Sequence, residues 1–277
     1  MGDTTTPGPE VKPNRTAVSK SRVIALETQL ERRRWTQCDV PFPHLVARDV
    51  FRPQVYEELE REFLDWLRQG QEASAFSRNM PGYDALGRSF DRDSLGAFAL
   101  FFSREWHDMI ANLVGIEVAG YLSGGLHHHA VGSANGEVHN DLNPGWFGRK
   151  ATGRELVIAS PDECSYMTGE RARADVEPVE LMRAVAVLFY LANPPWSPGD
   201  GGATGLYRHR DDDVNQPAAV VPPHSNSLLV FECTPYSFHG FLSNRRSERN
   251  CLVMWLHREK RQVVERWGEA PIVYWNR

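Results

Sequence analysis

The second half of the chain is what limits its fold. From Gly115 onward, apolar residues come in short runs, at 185–191, 227–231 and 251–256, with glycine and proline between them. Each run is rich in Val, Leu, aromatic or Cys residues and has the length of a buried strand rather than a helix. Gly120, Gly124, Gly125, Gly132, Gly136, Gly201, Gly202 and Gly205 mark tight turns or close backbone approach. Many short strands must cover one another, so the expected core is an antiparallel sandwich or barrel. The residues before Gly115 read differently. At 53–68, Val55, Leu59, Phe63 and Leu67 recur every fourth residue behind Pro53, and Gly70 can end that helix. A second helix is expected over 94–114, with Phe98, Phe101 or Phe102, Trp106 and Ile110 inward, and a short one over 23–35. Residues 1–20 have no period and read as a loose tail. The expectation is a mainly β domain over 21–277, with flanking helices and a β core from about residue 116.

Composition bounds the partners. The 277 residues are 41% hydrophobic, enough for a core that needs no disulfide staple. Basic residues number 31 and acidic residues 36, a net charge of -5. With no basic stripe, nucleic acid is not expected as a partner. No apolar run approaches the roughly 20 residues needed to cross a bilayer, and the N-terminal stretch has no apolar signal segment. Cys38, Cys164, Cys233 and Cys251 are widely spaced and form no CxxC pair, which suits reduced thiols in a cytoplasmic protein.

Four residues carry candidate chemistry. In an extended segment, His139 and Asp141 point to the same side and can address one metal ion. A histidine–aspartate hydrogen bond explains the same pair without metal. His239 lies 100 residues later, and a fold that brings it beside the pair gives two imidazoles and one carboxylate on one face. That set leaves open positions on an octahedral metal, as in non-haem iron oxygenases. The plain alternative is a histidine bonded to backbone. Arg249, ten residues after His239, enters the most apolar run of its region and needs a partner. A planar guanidinium pairs with a carboxylate in bidentate fashion.

The pattern His139-x-Asp141, His239 and then Arg249 resembles the Fe(II)- and 2-oxoglutarate-dependent dioxygenases, in particular the prolyl-4-hydroxylase-like branch. The segment 41–44 before a Pro53-led helix, the run 189–193, and Gly201-Gly202 with the residues to Tyr207 resemble other parts of that branch. The resemblance covers roughly residues 41–257 and implies a double-stranded β-helix (jelly roll, cupin-like). It implies Fe(II) on His139, Asp141 and His239, with 2-oxoglutarate and O2 as cosubstrates. Arg249 would bind the far carboxylate of 2-oxoglutarate, with Tyr190 as a hydrogen-bond donor to it. Tyr190 read alone is equally a core tyrosine. In the histidine-rich stretch 127–129, alternation points His127 and His129 together. One of them, taken as His129, would line the cosubstrate or substrate pocket, and a polar strand edge explains them equally well.

The retained Asp141 favours hydroxylation over chlorination, because halogenases of the wider family carry a small residue there. The expected reaction is hydroxylation of an unactivated C–H bond in an amino-acid-like small molecule, in a biosynthetic pathway. Arg208 or Arg210 would then meet a substrate carboxylate, with a solvated loop as the plain reading. Protein or peptide prolyl hydroxylation is the close rival. A cupin-type metalloenzyme without 2-oxoglutarate and a noncatalytic jelly-roll binding module are the further alternatives.

Overall fold

The computed structural model describes residues 25–31, 35–73, 85–90 and 92–275, with backbone alone at 70–73. The expected tail at 1–20 lies outside the described residues. Of the helix expected over 23–35, the described part carries a 3-10 turn at Leu26–Thr28.

The described residues form twelve strands: β1 Thr36–Cys38, β2 His44–Arg48, β3 Leu86–Ser89, β4 Ala119–His129, β5 Pro144–Phe147, β6 Val157–Ile158, β7 Val179–Tyr190, β8 Thr204–Tyr207, β9 Ala219–Val221, β10 Ser227–Glu232, β11 Phe238–Phe241 and β12 Arg249–Arg258. The helices are α1 Pro53–Ala73, α2 Arg104–Val114 and α3 Lys260–Trp267. The large sheet runs β1-β2-β10-β7-β12-β4-β3, with β5 on β7 and β6 on β4. The small sheet runs β11-β8-β9, and a bridge between His139 and His239 adds the segment before β5 to its edge. Sequence neighbours are rarely sheet neighbours, which is the winding of a double-stranded β-helix. The N-terminal part is not helical support alone, since β1, β2 and β3 extend the large sheet at both edges.

The central strands are buried on both faces, which is why their sequences read as unbroken apolar runs. Val185, Val187 and Phe189 of β7 face the helical side, with Leu252, Met254 and Leu256 of β12 and Leu228 and Val230 of β10. Ala186, Leu188 and Tyr190 face the opposite way, toward the small sheet, with Cys251, Val253, Leu229 and Phe231. On the helical side, Trp106 stacks on Phe51 at 5.7 Å between ring centroids, and Phe51 meets Phe189 edge-on at 5.3 Å. These rings join α2 to β7.

The helices depart from expectation in two places. Helix α1 continues through Gly70 to Ala73, because a single glycine costs only about 1 kcal/mol in a helix interior. The helix expected over 94–114 is two pieces, a 3-10 segment Gly96–Phe102 and then α2, with Ser103 between them. The Ser103 hydroxyl accepts from the Trp106 N–H, so it caps the second piece as the first ends. No helix among the described residues is long and apolar enough to cross a membrane.

Candidate active site

The small sheet brings the two histidines together. His139 and His239 exchange backbone hydrogen bonds of 3.0 and 2.8 Å, so their rings leave adjacent strands side by side. The ring nitrogens that face each other across the site are set by the backbone. His139 Nδ1 lies 2.9 Å from the Glu137 carbonyl, and His239 Nδ1 lies 3.1 Å from the Ser237 carbonyl. A carbonyl oxygen can only accept, so each Nδ1 carries the proton and each Nε2 keeps its lone pair. One ligand atom from each of His139, Asp141 and His239 lies within 4.8 Å of the others. The His239 Nε2 is 3.5 Å from one Asp141 oxygen, and the His139 Nε2 is 4.0 Å from the other.

Asp141 is buried and fixed from both sides. Arg183 Nη1 donates to Oδ1 at 2.7 Å, and the Trp255 indole N–H donates to Oδ2 at 2.9 Å. Burial pushes the carboxyl pKa up, but the Arg183 charge and the two histidines outweigh it and hold Asp141 far below the usual range. His139 is pulled down by burial and by His239. The site offers two imidazoles and an anion, a donor set that fits a divalent first-row metal. The His139 side chain remains 47% exposed, which leaves the metal position open on one side.

A cavity of about 350 Å3 adjoins the triad and is lined by His127, Leu188, Thr204, Phe241, Arg249 and Val253 among others. Arg249 is buried at its far wall, where Nη1 donates to Cys251 Sγ at 2.9 Å and Nη2 lies 3.4 Å from Thr204 Oγ1. Tyr190 is fully buried behind this wall, with its hydroxyl 2.7 Å from Thr204 Oγ1 and its ring beneath the Arg249 guanidinium. Burial raises the Tyr190 pKa, which keeps the phenol protonated. Tyr190 thus reaches the cavity through Thr204. His129 is placed away from the cavity, fully buried and stacked on Phe241 at 3.8 Å. Its neighbour two residues back, His127, is on the wall. Arg208 and Arg210 lie exposed on a loop whose Asp212 carboxylate accepts the N–H groups of Arg208 and His209, and neither lines this cavity.

Arg249 is held in turn by its neighbours. Asn193 accepts the Asn250 N–H at 2.6 Å and donates to the Asn250 carbonyl at 2.9 Å, which fixes the start of β12. Gly202 lies against the Arg249 stem, and Gly201 has a positive φ of 78°. A Cβ at Gly201 would stand 2.0 Å from the Ser243 carbonyl oxygen, which is backbone. Gly201→Ala is therefore expected to destabilise the fold by roughly 2–4 kcal/mol, from strain and forced displacement together. Chemical denaturation reads this, and an unchanged midpoint would contradict it.

Four residues here were not singled out from sequence: Thr204, Arg183, Trp255 and Trp275. Arg183 also extends a buried network away from the metal position. Its Nε donates to the Tyr166 hydroxyl at 3.1 Å, and Tyr166 in turn lies 2.8 Å from His257 Nε2. His257 Nδ1 donates to the Tyr121 carbonyl at 3.1 Å, so Nε2 is the acceptor for Tyr166. Burial lowers the His257 pKa to about 3. In the unfolded chain this histidine takes a proton near pH 6.5. Between those values the unfolded state binds more protons, so stability is lost as pH falls from about 6.5 toward 3. The expected slope from this one group is about 1.4 kcal/mol per pH unit. Thermal midpoints of the metal-free protein from pH 7 to pH 5 should fall less steeply in His257→Gln, and identical slopes would count against this reading.

Similarity to known proteins agrees with this geometry. Residues 137–257, which contain the triad and Arg249, match the 2OG-Fe(II) oxygenase superfamily. Over this stretch the chain is similar to the superfamily. Fe(II) and 2-oxoglutarate are its metal and cosubstrate, and the triad supplies the donors that such a metal needs. Over 81 residues the chain is 40% identical to the prolyl 3-hydroxylase OGFOD1 of Xenopus laevis, a match that takes 27% of this chain and 15% of that protein. A prolyl 4-hydroxylase of Phytophthora capsici superposes with a TM-score of 0.51 at 20% identity, covering 80% of this chain and 61% of that one. A Trichoplax adhaerens prolyl hydroxylase, solved with a hypoxia-inducible-factor peptide fragment, superposes with a TM-score of 0.53 at 14% identity. That match covers 82% of this chain and 87% of the other. The chain thus spans less than two thirds of the first two relatives. These oxygenases correct the expectation of an amino-acid-like small molecule as substrate. By name they are prolyl hydroxylases, and one holds a peptide.

Proposed function

We propose that the protein is an Fe(II)- and 2-oxoglutarate-dependent hydroxylase of prolyl residues in a peptide or protein. The observation that carries the reaction class is the His139–Asp141–His239 triad facing the same cavity as the Arg249 guanidinium. The 40% identity to a prolyl 3-hydroxylase supports the substrate class. So does the shape of the cleft. A second cavity of about 580 Å3, lined by Phe90, Leu126, Tyr166 and Met167 among others, adjoins the first. His127, Arg183, Trp255 and Trp275 border both. The first cavity has room for a cosubstrate and one side chain, and the second extends the cleft for flanking residues.

When bound, Fe(II) supplies the redox chemistry by which 2-oxoglutarate and O2 become succinate and carbon dioxide while one oxygen atom enters a C–H bond. The residues do the rest. The two Nδ1–H groups, tied to the Glu137 and Ser237 carbonyls, fix the rings so that both Nε2 lone pairs meet at one point. Arg183 and Trp255 keep Asp141 ionised and immobile. Arg249 and Thr204 would meet the far carboxylate of 2-oxoglutarate, with Tyr190 orienting Thr204 from behind. The apolar Leu188 and Val253 on the cavity wall would exclude water from the stem of the cosubstrate.

The test is a library of proline-containing peptides incubated with protein, Fe(II), 2-oxoglutarate and air. A gain of one oxygen on proline, matched by succinate release, is the expected result. Turnover on free amino acids with none on any peptide would overturn the substrate class.

A further inference from the structure

The 272–275 segment follows α3 and returns to the metal site. The Val273 N–H donates to the Leu142 carbonyl at 3.0 Å, the Asn143 side chain donates to the Val273 carbonyl at 2.7 Å, and the Trp275 indole donates to the Pro144 carbonyl at 2.8 Å. Ile272 is buried with Leu142, Met182 and Val263. The segment is thus fastened to the three residues that follow Asp141. Its last described residue, Trp275, completes a cage around the Arg183 guanidinium. The guanidinium carbon lies 3.5 Å from the Trp255 ring centroid, 4.9 Å from that of Trp275 and 5.7 Å from that of Tyr166. From within this cage, Arg183 Nη1 donates to Asp141 Oδ1 at 2.7 Å.

We propose that the 272–275 segment is a working part of the metal site, in which Trp275 is a positioning residue that holds Arg183 against Asp141. The segment connects the stretch after α3 to the only carboxylate of the triad. A flat aromatic face is the suitable partner here, since a guanidinium stacks on it while keeping its N–H groups free for in-plane bonds. Trp275 also borders both cavities, so a substrate lying across the cleft touches the residue that steadies the metal's anionic ligand.

This inference rests on the Fe(II) reading of the triad, and Co(II) titration separates the two. Co(II) is the probe because its visible bands report ligand geometry without turnover. The parent protein is expected to take up Co(II) with a defined spectrum. In Trp275→Ala the affinity should fall about tenfold, within the range seen when groups behind a metal ligand are removed, and the bands should shift. Trp275→Phe, which keeps an aromatic face, should restore most of both. Trp275→Leu keeps apolar bulk without that face. It should bind Co(II) as weakly as Trp275→Ala, and it serves in place of the alanine variant if that one fails to fold. Leucine and alanine variants with the affinity and spectrum of the parent would overturn the proposal. A parent protein that binds no Co(II) and no Fe(II) would overturn the reading beneath it as well.

Discussion

Asp141→Asn is expected to abolish Fe(II) binding at concentrations that saturate the parent, a loss of more than about a hundredfold in affinity. The substitution is nearly isosteric and still offers Arg183 an acceptor, so the effect reports charge rather than shape. Asp141 is the only anion of the triad, and its anionic form is secured against burial by Arg183. With the charge gone, two imidazoles face a divalent ion beside a buried guanidinium, and repulsion from Arg183 is no longer offset. The metal-free fold should also weaken, by about 1–3 kcal/mol, because Arg183 keeps a hydrogen bond but loses its counter-charge. Anaerobic titration calorimetry and a denaturation curve measure the two parts separately. Fe(II) affinity equal to that of the parent would remove Asp141 from the metal site.

Arg249→Leu acts on the cosubstrate instead. It should raise the KM for 2-oxoglutarate by on the order of a hundredfold or more, the consequence of removing the charged partner of a buried carboxylate, which costs about 2–5 kcal/mol. Fe(II) affinity should stay near that of the parent, because Arg249 is not among the donor residues. Arg249→Lys should fall between, since lysine keeps the charge but not the planar fork. Succinate release at varied 2-oxoglutarate gives the result. A KM that does not move, with kcat alone reduced, would mean that the cosubstrate carboxylate lies elsewhere.

The parts of this site that sequence made visible are those with a fixed spacing. His139 and Asp141 are two residues apart on an extended segment, and strand geometry alone puts them on one side. The long apolar runs at 185–191 and 251–256 showed the two central strands, because both faces of each are buried. Arg249 was found because a charge at the start of such a run requires a partner. Arg183 carries the same signal, two residues before Val185, yet alternation conceals it. Counting back by twos from Phe189, Val187 and Val185 puts residue 183 on the helical side. The pairing of β7 with β12 slips there, from Val185 opposite Leu256 to Arg183 opposite His257. The extra residue turns Arg183 to the inner face, where Asp141, Trp255 and Tyr166 are. A bulge is a two-strand property, and one strand's sequence does not encode it alone.

Thr204 was hidden, and the choice between His127 and His129 was open, for different reasons. Thr204 has no spacing relative to the triad, and its role arises from β8 pairing with β11, which sets it beside Arg249. His127 and His129 share a face by alternation, but Phe241 from the small sheet covers His129 and leaves His127 on the wall. Trp275 gave no signal at all, being a lone tryptophan far in sequence from every motif. The substrate class was misjudged for a related reason. The triad and Arg249 are indifferent to the substrate, and the second cavity that enlarges the cleft is assembled largely from β3, β4 and the 159–172 loops, where the glycines and histidines of β4 do not specify a substrate.

The most direct test of the central claim is the visible absorption of the anaerobic Fe(II)-loaded protein on addition of 2-oxoglutarate. The structure predicts a charge-transfer band that saturates with one cosubstrate per protein, persists in Arg249→Leu only at far higher 2-oxoglutarate, and is absent in Asp141→Asn. An Fe(II)-loaded protein in which 2-oxoglutarate raises no band at any concentration would contradict the account, leaving a jelly-roll metal site with a different cosubstrate.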